Sequence, residues 1–88
     1  MAEAEVLIMT DAGMHARPAA MFVKLASRYP CDIFVEKEGD QVNGKSIMGL
    51  LMLALTSGSK IKIIAKGEQE QEALDALIEL VSGGFGES

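Results

Sequence analysis

The sequence predicts an α+β fold, a four-stranded antiparallel sheet covered on one face by helices. Three observations predict it. The order of patterns along the chain reads β-α-β-β-α-β-α. The strand-like runs are short and separated by stretches with helical spacing. Eighty-eight residues make one domain, 1–88, with a single modest core. Strands and helices mixed this way pack as two layers.

Each element has its own signal. "EVLIMT", Glu5 to Thr10, is a short apolar run with β-branched residues and reads as a strand. "DAG", Asp11 to Gly13, is turn chemistry. From Ala16 to Ser27, Ala19, Phe22, Val23 and Ala26 fall on one helical face. Asp32 to Gly44 reads as a strand, a turn at Gly39-Asp40, and a second short strand through Val42. Ser46 to Leu55 reads as a short helix with Ser46 at its N-cap. Lys60 to Gly67 is a strand. Glu68 to Ser82 is the clearest helix, with Leu74, Leu77, Ile78 and Val81 inward and acids in its first turn, where the macrodipole favours them. "GGFGES" reads as a frayed end.

Composition narrows the function. The net charge of -5 argues against duplex binding, which needs a basic face, and four aromatics without Trp make a poor base-stacking platform. No apolar run reaches the ~18 residues of a membrane span. The first residues lack the pattern of a secretory signal. Cys31 is alone, so no internal disulfide forms, and no Cys/His cluster has zinc spacing. A reducing cytoplasm is the expected compartment. The thirteen acids avoid two segments: Ala12 to Cys31 carries Arg17, Lys24 and Arg28, and Gln41 to Gly67 carries Lys45, Lys60, Lys62 and Lys66. Two acid-free segments in an acidic chain suggest an anionic ligand on them; solvated surface is the other reading.

The one histidine, His15, stands where the first helix starts, two residues before Arg17 and three before Pro18. First-turn N–H groups lack partners inside a helix and, with the macrodipole, favour an anion. A first-turn proline sacrifices no needed bond. A neutral imidazole is a nucleophile, and arginine offers a planar fork of donors to phosphate oxygens. The set fits a phosphoryl group arriving on His15. It fits a zinc site or a Ser-His-Asp triad poorly, since the segment holds neither a second ligand nor a carboxylate. On spacing alone another reading stands beside it: His15 caps the helix and Arg17 is solvated.

The second helix is apolar all round. If Leu50, Leu53 and Ala54 face the sheet, Ile47, Met48 and Leu51 face outward as a patch for a protein partner; tighter burial under the neighbouring helix is the other reading. A phosphate on Ser46 would add about -1.5 to -2 charges beside that patch.

"GMHARPAAMFVKLAS" and "VNGKSIMGLLMLAL" together resemble the two signatures of the histidine-containing phosphocarrier (HPr) family of the bacterial phosphoenolpyruvate:sugar phosphotransferase system. The likeness runs from Val6 to the last helix. It implies an open-faced β-sandwich with three helices on one face of the sheet. It implies that His15 accepts a phosphoryl group on Nδ1 from enzyme I and passes it to the IIA domain of a sugar permease. Arg17 would neutralise the charge, and the N–H groups of Ala16 and Arg17 would hold the oxygens. Ala20, Lys24, Ile47, Met48 and Leu51 would form the docking surface. The Lys45-to-Gly49 segment resembles the Gram-positive branch, in which a bifunctional HPr kinase/phosphorylase modifies the residue at Ser46 and the product serves a catabolite control repressor. The chain is expected to act as a stoichiometric carrier, not an enzyme, as a monomer and with no cofactor or metal. Two relatives of different role are the alternatives: a regulatory-only corepressor module acting through Ser46, a kind that lacks the histidine, and a nitrogen-branch phosphocarrier. Ala12, Gly44 and Leu51 depart from common family residues, with Ala12 lacking a polar side chain beside the histidine.

Overall fold

A computed structural model describes residues 1–86. Strand β1 spans Ala2–Leu7, helix α1 Ala16–Ala26, β2 Asp32–Lys37, β3 Asp40–Asn43, α2 Ile47–Met52, β4 Lys60–Lys66 and α3 Glu70–Ser82. The strands form one antiparallel sheet in the order β1-β4-β2-β3. The expected order and sheet type are both present.

Alternation explains which face the helices cover. Val6, Ile61, Ile63, Ala65, Ile33 and Val35 point to one side and join Phe22, Leu50, Leu77 and Val81 in the core. Lys60, Lys62 and Lys66 of β4 take the opposite parity and face away from the helices. There Lys62 reaches Glu3 at 3.2 Å and Glu36 at 4.0 Å. The hydrogen bond to Glu3, then the charges of Glu3 and Glu36, hold its ammonium pKa above the ordinary value of 10.5.

Several boundaries differ from the sequence reading, each for a physical reason. The first strand is Ala2–Leu7, not Glu5–Thr10. Its ladder ends where β4 begins, at Leu7 opposite Lys60. The hairpin turns at Glu38-Gly39, one residue before the expected Gly39-Asp40. A tight two-residue turn needs positive φ at both positions, and Glu38 (51°) and Gly39 (88°) supply it. The Ser46 helix stops at Met52, short of Leu55, because Ala54 turns left-handed at φ 52°. Ala54 is therefore exposed and does not face the sheet, whereas Leu50 is fully buried and Leu53 partly so. Helix α3 starts at Glu70, not Glu68; the Glu70 carboxylate accepts the Gly67 N–H at 3.0 Å. The end expected to fray instead forms a turn over Gly84–Gly86 that buries Phe85; Glu87 and Ser88 lie outside the described residues.

Candidate functional site

The histidine loop joins β1 to α1. Ile8 stays tied to the Gly58–Ser59 loop, donating to Ser59 and accepting from Gly58, both at 2.8 Å. A tight turn follows, closed by the Gly13 N–H on the Thr10 carbonyl at 3.1 Å. Gly13 has φ 72° and lies against the backbone of Leu55 and Thr56, so closely that a Cβ would strike the Leu55 carbonyl. Met14, buried, donates its N–H to that same carbonyl at 2.7 Å.

His15 then caps α1 with extended backbone, at φ -85° and ψ -168°. Its carbonyl accepts the first helical bond, from Ala19 at 3.0 Å. Its imidazole makes no capping bond to the first turn. Two N–H groups, those of Ala16 and Arg17, lie at the start of the helix before Pro18, which has none. No acid stands in that first turn. His15, Ala16 and Arg17 are all exposed, while Pro18 and Ala19 are buried and fix the helix to the core. An exposed imidazole, a guanidinium two residues on, and the positive end of an eleven-residue helix are groups whose charge and hydrogen-bond donors favour an anion at the protein surface. Among the described residues no three His, Cys, Asp or Glu side chains are placed to hold a metal.

Ser46 caps the second helix as expected. Its Oγ accepts the Gly49 N–H at 3.1 Å. Lys45 does not stand ready for a phosphate there, because its ammonium donates to the Tyr29 carbonyl at 2.8 Å. Gly44 is explained by space: its N–H meets the Ile33 carbonyl at 2.7 Å, and a Cβ would lie 2.5 Å from the Ile33 side chain.

The expected docking residues are exposed: Ala20 and Lys24 on α1, and Ile47, Met48 and Leu51 on α2. The two helices pack against each other. Sequence reasoning missed Met52, the most exposed of these apolar groups at 78 %, and Met21. Met52 stands four residues after Met48, so the helical spacing that placed Met48 outward also points to Met52. The acid-free second segment does not converge on the site. Its β4 lysines lie on the far face of the sheet, so only Arg17, Lys24 and Arg28 of the first segment put exposed positive charge along α1 and its end.

Residues 2–83 match the family described as "PTS HPr component phosphorylation site". The chain is 51 % identical over 81 residues to the HPr-like protein Crh of Halalkalibacterium halodurans, covering 92 % of this chain and 96 % of that protein. It is 46 % identical over 84 residues to the phosphocarrier protein HPr of Pseudomonas aeruginosa, covering 94 % and 93 %. The crystal structure of HPr-C-His from Thermoanaerobacter tengcongensis superposes with a TM-score of 0.97 at 44 % identity, covering 100 % and 99 %.

Proposed function

The chain belongs to the HPr family of phosphoryl carriers, and from that premise we propose that it shuttles a phosphoryl group on His15 in a sugar phosphotransferase system of the cytoplasm. The observation that carries this reading is His15 at the N-cap of α1, with Arg17 beside it and no acid in the first turn. Phosphorylated enzyme I delivers the group to Nδ1 of His15. The bond to the donor's phosphorus breaks as the N–P bond forms, and the donor keeps the bonding pair. The N–H groups of Ala16 and Arg17 and the Arg17 guanidinium take the charge of the oxygens. A permease IIA domain then removes the group, so the chain is unchanged over a cycle. Ala20, Lys24, Ile47, Met48 and Leu51 form the face that both partners use, with Met52 at its edge.

Ser46 is the regulatory site in this reading. A kinase adds a phosphate to its half-buried hydroxyl, and the charge lands beside that apolar face. The added charge slows docking of enzyme I and creates a surface for a catabolite repressor. The chain acts as a monomer; solved relatives include an HPr dimer, and light scattering decides between the two states.

A second reading is favoured by one observation: relatives at 51 % and 49 % identity are named HPr-like protein Crh, and a solved one is described as a catabolite repression HPr. In that reading only Ser46 matters. A nitrogen-branch carrier would share the chemistry of His15 but not its partners. Incubation with phosphoenolpyruvate and enzyme I separates the first two. A carrier gains one acid-labile phosphate that His15→Ala does not gain; a regulatory module gains none and takes an acid-stable phosphate from ATP and the kinase. Loss of growth on sugars in a deletion strain, against loss on nitrogen sources, separates the third.

A further inference from the structure

We propose that Thr10 is a positioning residue for His15, an inference that rests on His15 as the phosphoryl carrier. Thr10 is buried, at 3 % exposure, and is the buried polar side chain among the described core residues. Its hydroxyl donates to the Gly13 carbonyl at 2.5 Å. The turn is thus closed twice by the same two residues, since Gly13 also donates its N–H to the Thr10 carbonyl.

The consequence for His15 follows from peptide geometry. The Gly13 carbonyl and the Met14 N–H belong to one planar peptide unit. Thr10 holds its oxygen, and the Leu55 carbonyl holds its N–H at 2.7 Å. A peptide plane pinned at both ends cannot rotate, and His15 is the next residue but one after Gly13. Two soft dihedrals at Met14 are all that separate the pinned plane from the peptide leading into His15, and the Met14 side chain is itself buried. Ala12, inside the same turn, has no polar side chain to contribute. The bond that fixes the loop comes from Thr10, two residues earlier, on the inward parity of the β1 alternation. Because Thr10 is buried, water does not compete for the bond, and losing it leaves the Gly13 carbonyl facing an apolar methyl.

The test uses Thr10→Val, which keeps the shape and removes the donor, and Thr10→Ser, which keeps the donor. Phosphoryl transfer from enzyme I is measured with kcat and KM separated, alongside hydrogen exchange of the Met14 amide. Thr10→Val should lower kcat roughly tenfold, leave KM for enzyme I unchanged, and speed Met14 exchange by a similar factor; Thr10→Ser should restore both. Should Thr10→Val fail to fold by circular dichroism, Thr10→Ala replaces it. An unchanged kcat and unchanged Met14 exchange in the donor-less variant overturn the inference, as does an equal loss in Thr10→Ser. If the unsubstituted chain takes no phosphoryl group, the carrier reading falls, and the Met14 exchange rates alone decide whether Thr10 pins the loop.

Discussion

Met14 donates its backbone N–H to the carbonyl of Leu55 at 2.7 Å, and this bond joins the histidine loop to the segment that ends the serine helix. The residues before and after it extend the seam. Gly13 lies against Leu55 and Thr56, and Ala54, just before Leu55, turns left-handed to aim the carbonyl. The two sequence signatures are thus one structural unit, with His15 and Ser46 at the N-caps of two helices packed together.

Gly13→Ala tests that seam. The new Cβ would collide with the Leu55 carbonyl, and φ 72° already disfavours a side chain. The variant should be destabilised by more than about 1 kcal/mol in chemical denaturation. It should also accept phosphate more slowly, because the loop must shift before His15 can be seated. Unchanged stability and rate would mean that the loop does not need this contact.

Arg17→Lys keeps the charge and removes the fork of donors. Transfer to His15 should fall roughly ten- to hundredfold. A rate equal to that of the unsubstituted chain would show that only net charge matters at this position. Thermal stability should not change, since Arg17 is exposed and second in its helix.

Ser46→Ala removes the acceptor for the Gly49 N–H and should cost about 0.5–2 kcal/mol. Ser46→Asp retains a capping carboxylate, so its stability should stay close to that of the unsubstituted chain. It places a charge beside Ile47 and Met48, however, and should raise KM for enzyme I with little effect on kcat. Equal KM values in the two variants would argue against Ser46 lying beside the docking face.

Lys62 gives a pH prediction. Its pKa is raised in the folded chain, first by the hydrogen bond to Glu3 and then by the charges of Glu3 and Glu36. A raised lysine contributes stability that is complete below its unfolded value of 10.5 and is lost as pH climbs through the higher folded value. Stability should therefore decline as pH rises from 10.5 toward that folded value, and Lys62→Met should flatten the decline. A limb of the same slope in both proteins would assign the loss to other groups. Phosphoryl transfer should be unaffected by Lys62→Met, since Lys62 faces away from the helices.

Much of this was legible in the sequence, and the reasons are specific. Ala19, Phe22 and Ala26 at helical spacing marked α1, and Ser46 before an apolar run marked the cap of α2, because both signals are local. The end of α2 was not legible, since nothing in Leu53-Ala54-Leu55 announces a left-handed alanine; that conformation goes with tertiary contacts on either side of it, the Met14 N–H on the Leu55 carbonyl at 2.7 Å and the Lys37 ammonium on the Ala54 carbonyl at 3.2 Å. The hairpin slipped by one residue because Glu38 is an unusual choice at positive φ. Ala2 and Ala4 gave little strand signal, though they pair with Ala65 and Ile63. The burial of Phe85 needed the fold. At the site, the single histidine beside Arg17 at a helix start was a weak signal that the likeness to the two family signatures strengthened, whereas Thr10 gave none, because a threonine ending a strand looks ordinary until its hydroxyl is seen on Gly13.

The most direct measurement is the position of the phosphoryl group itself. Protein labelled with nitrogen-15 in its single imidazole is phosphorylated by enzyme I and phosphoenolpyruvate and observed by long-range proton–nitrogen NMR. Phosphorylation should displace the Nδ1 resonance of His15 far more than that of Nε2 and should show coupling to phosphorus. An imidazole unchanged while the chain gains phosphate, or no phosphate gained at all, would contradict a carrier that works through His15.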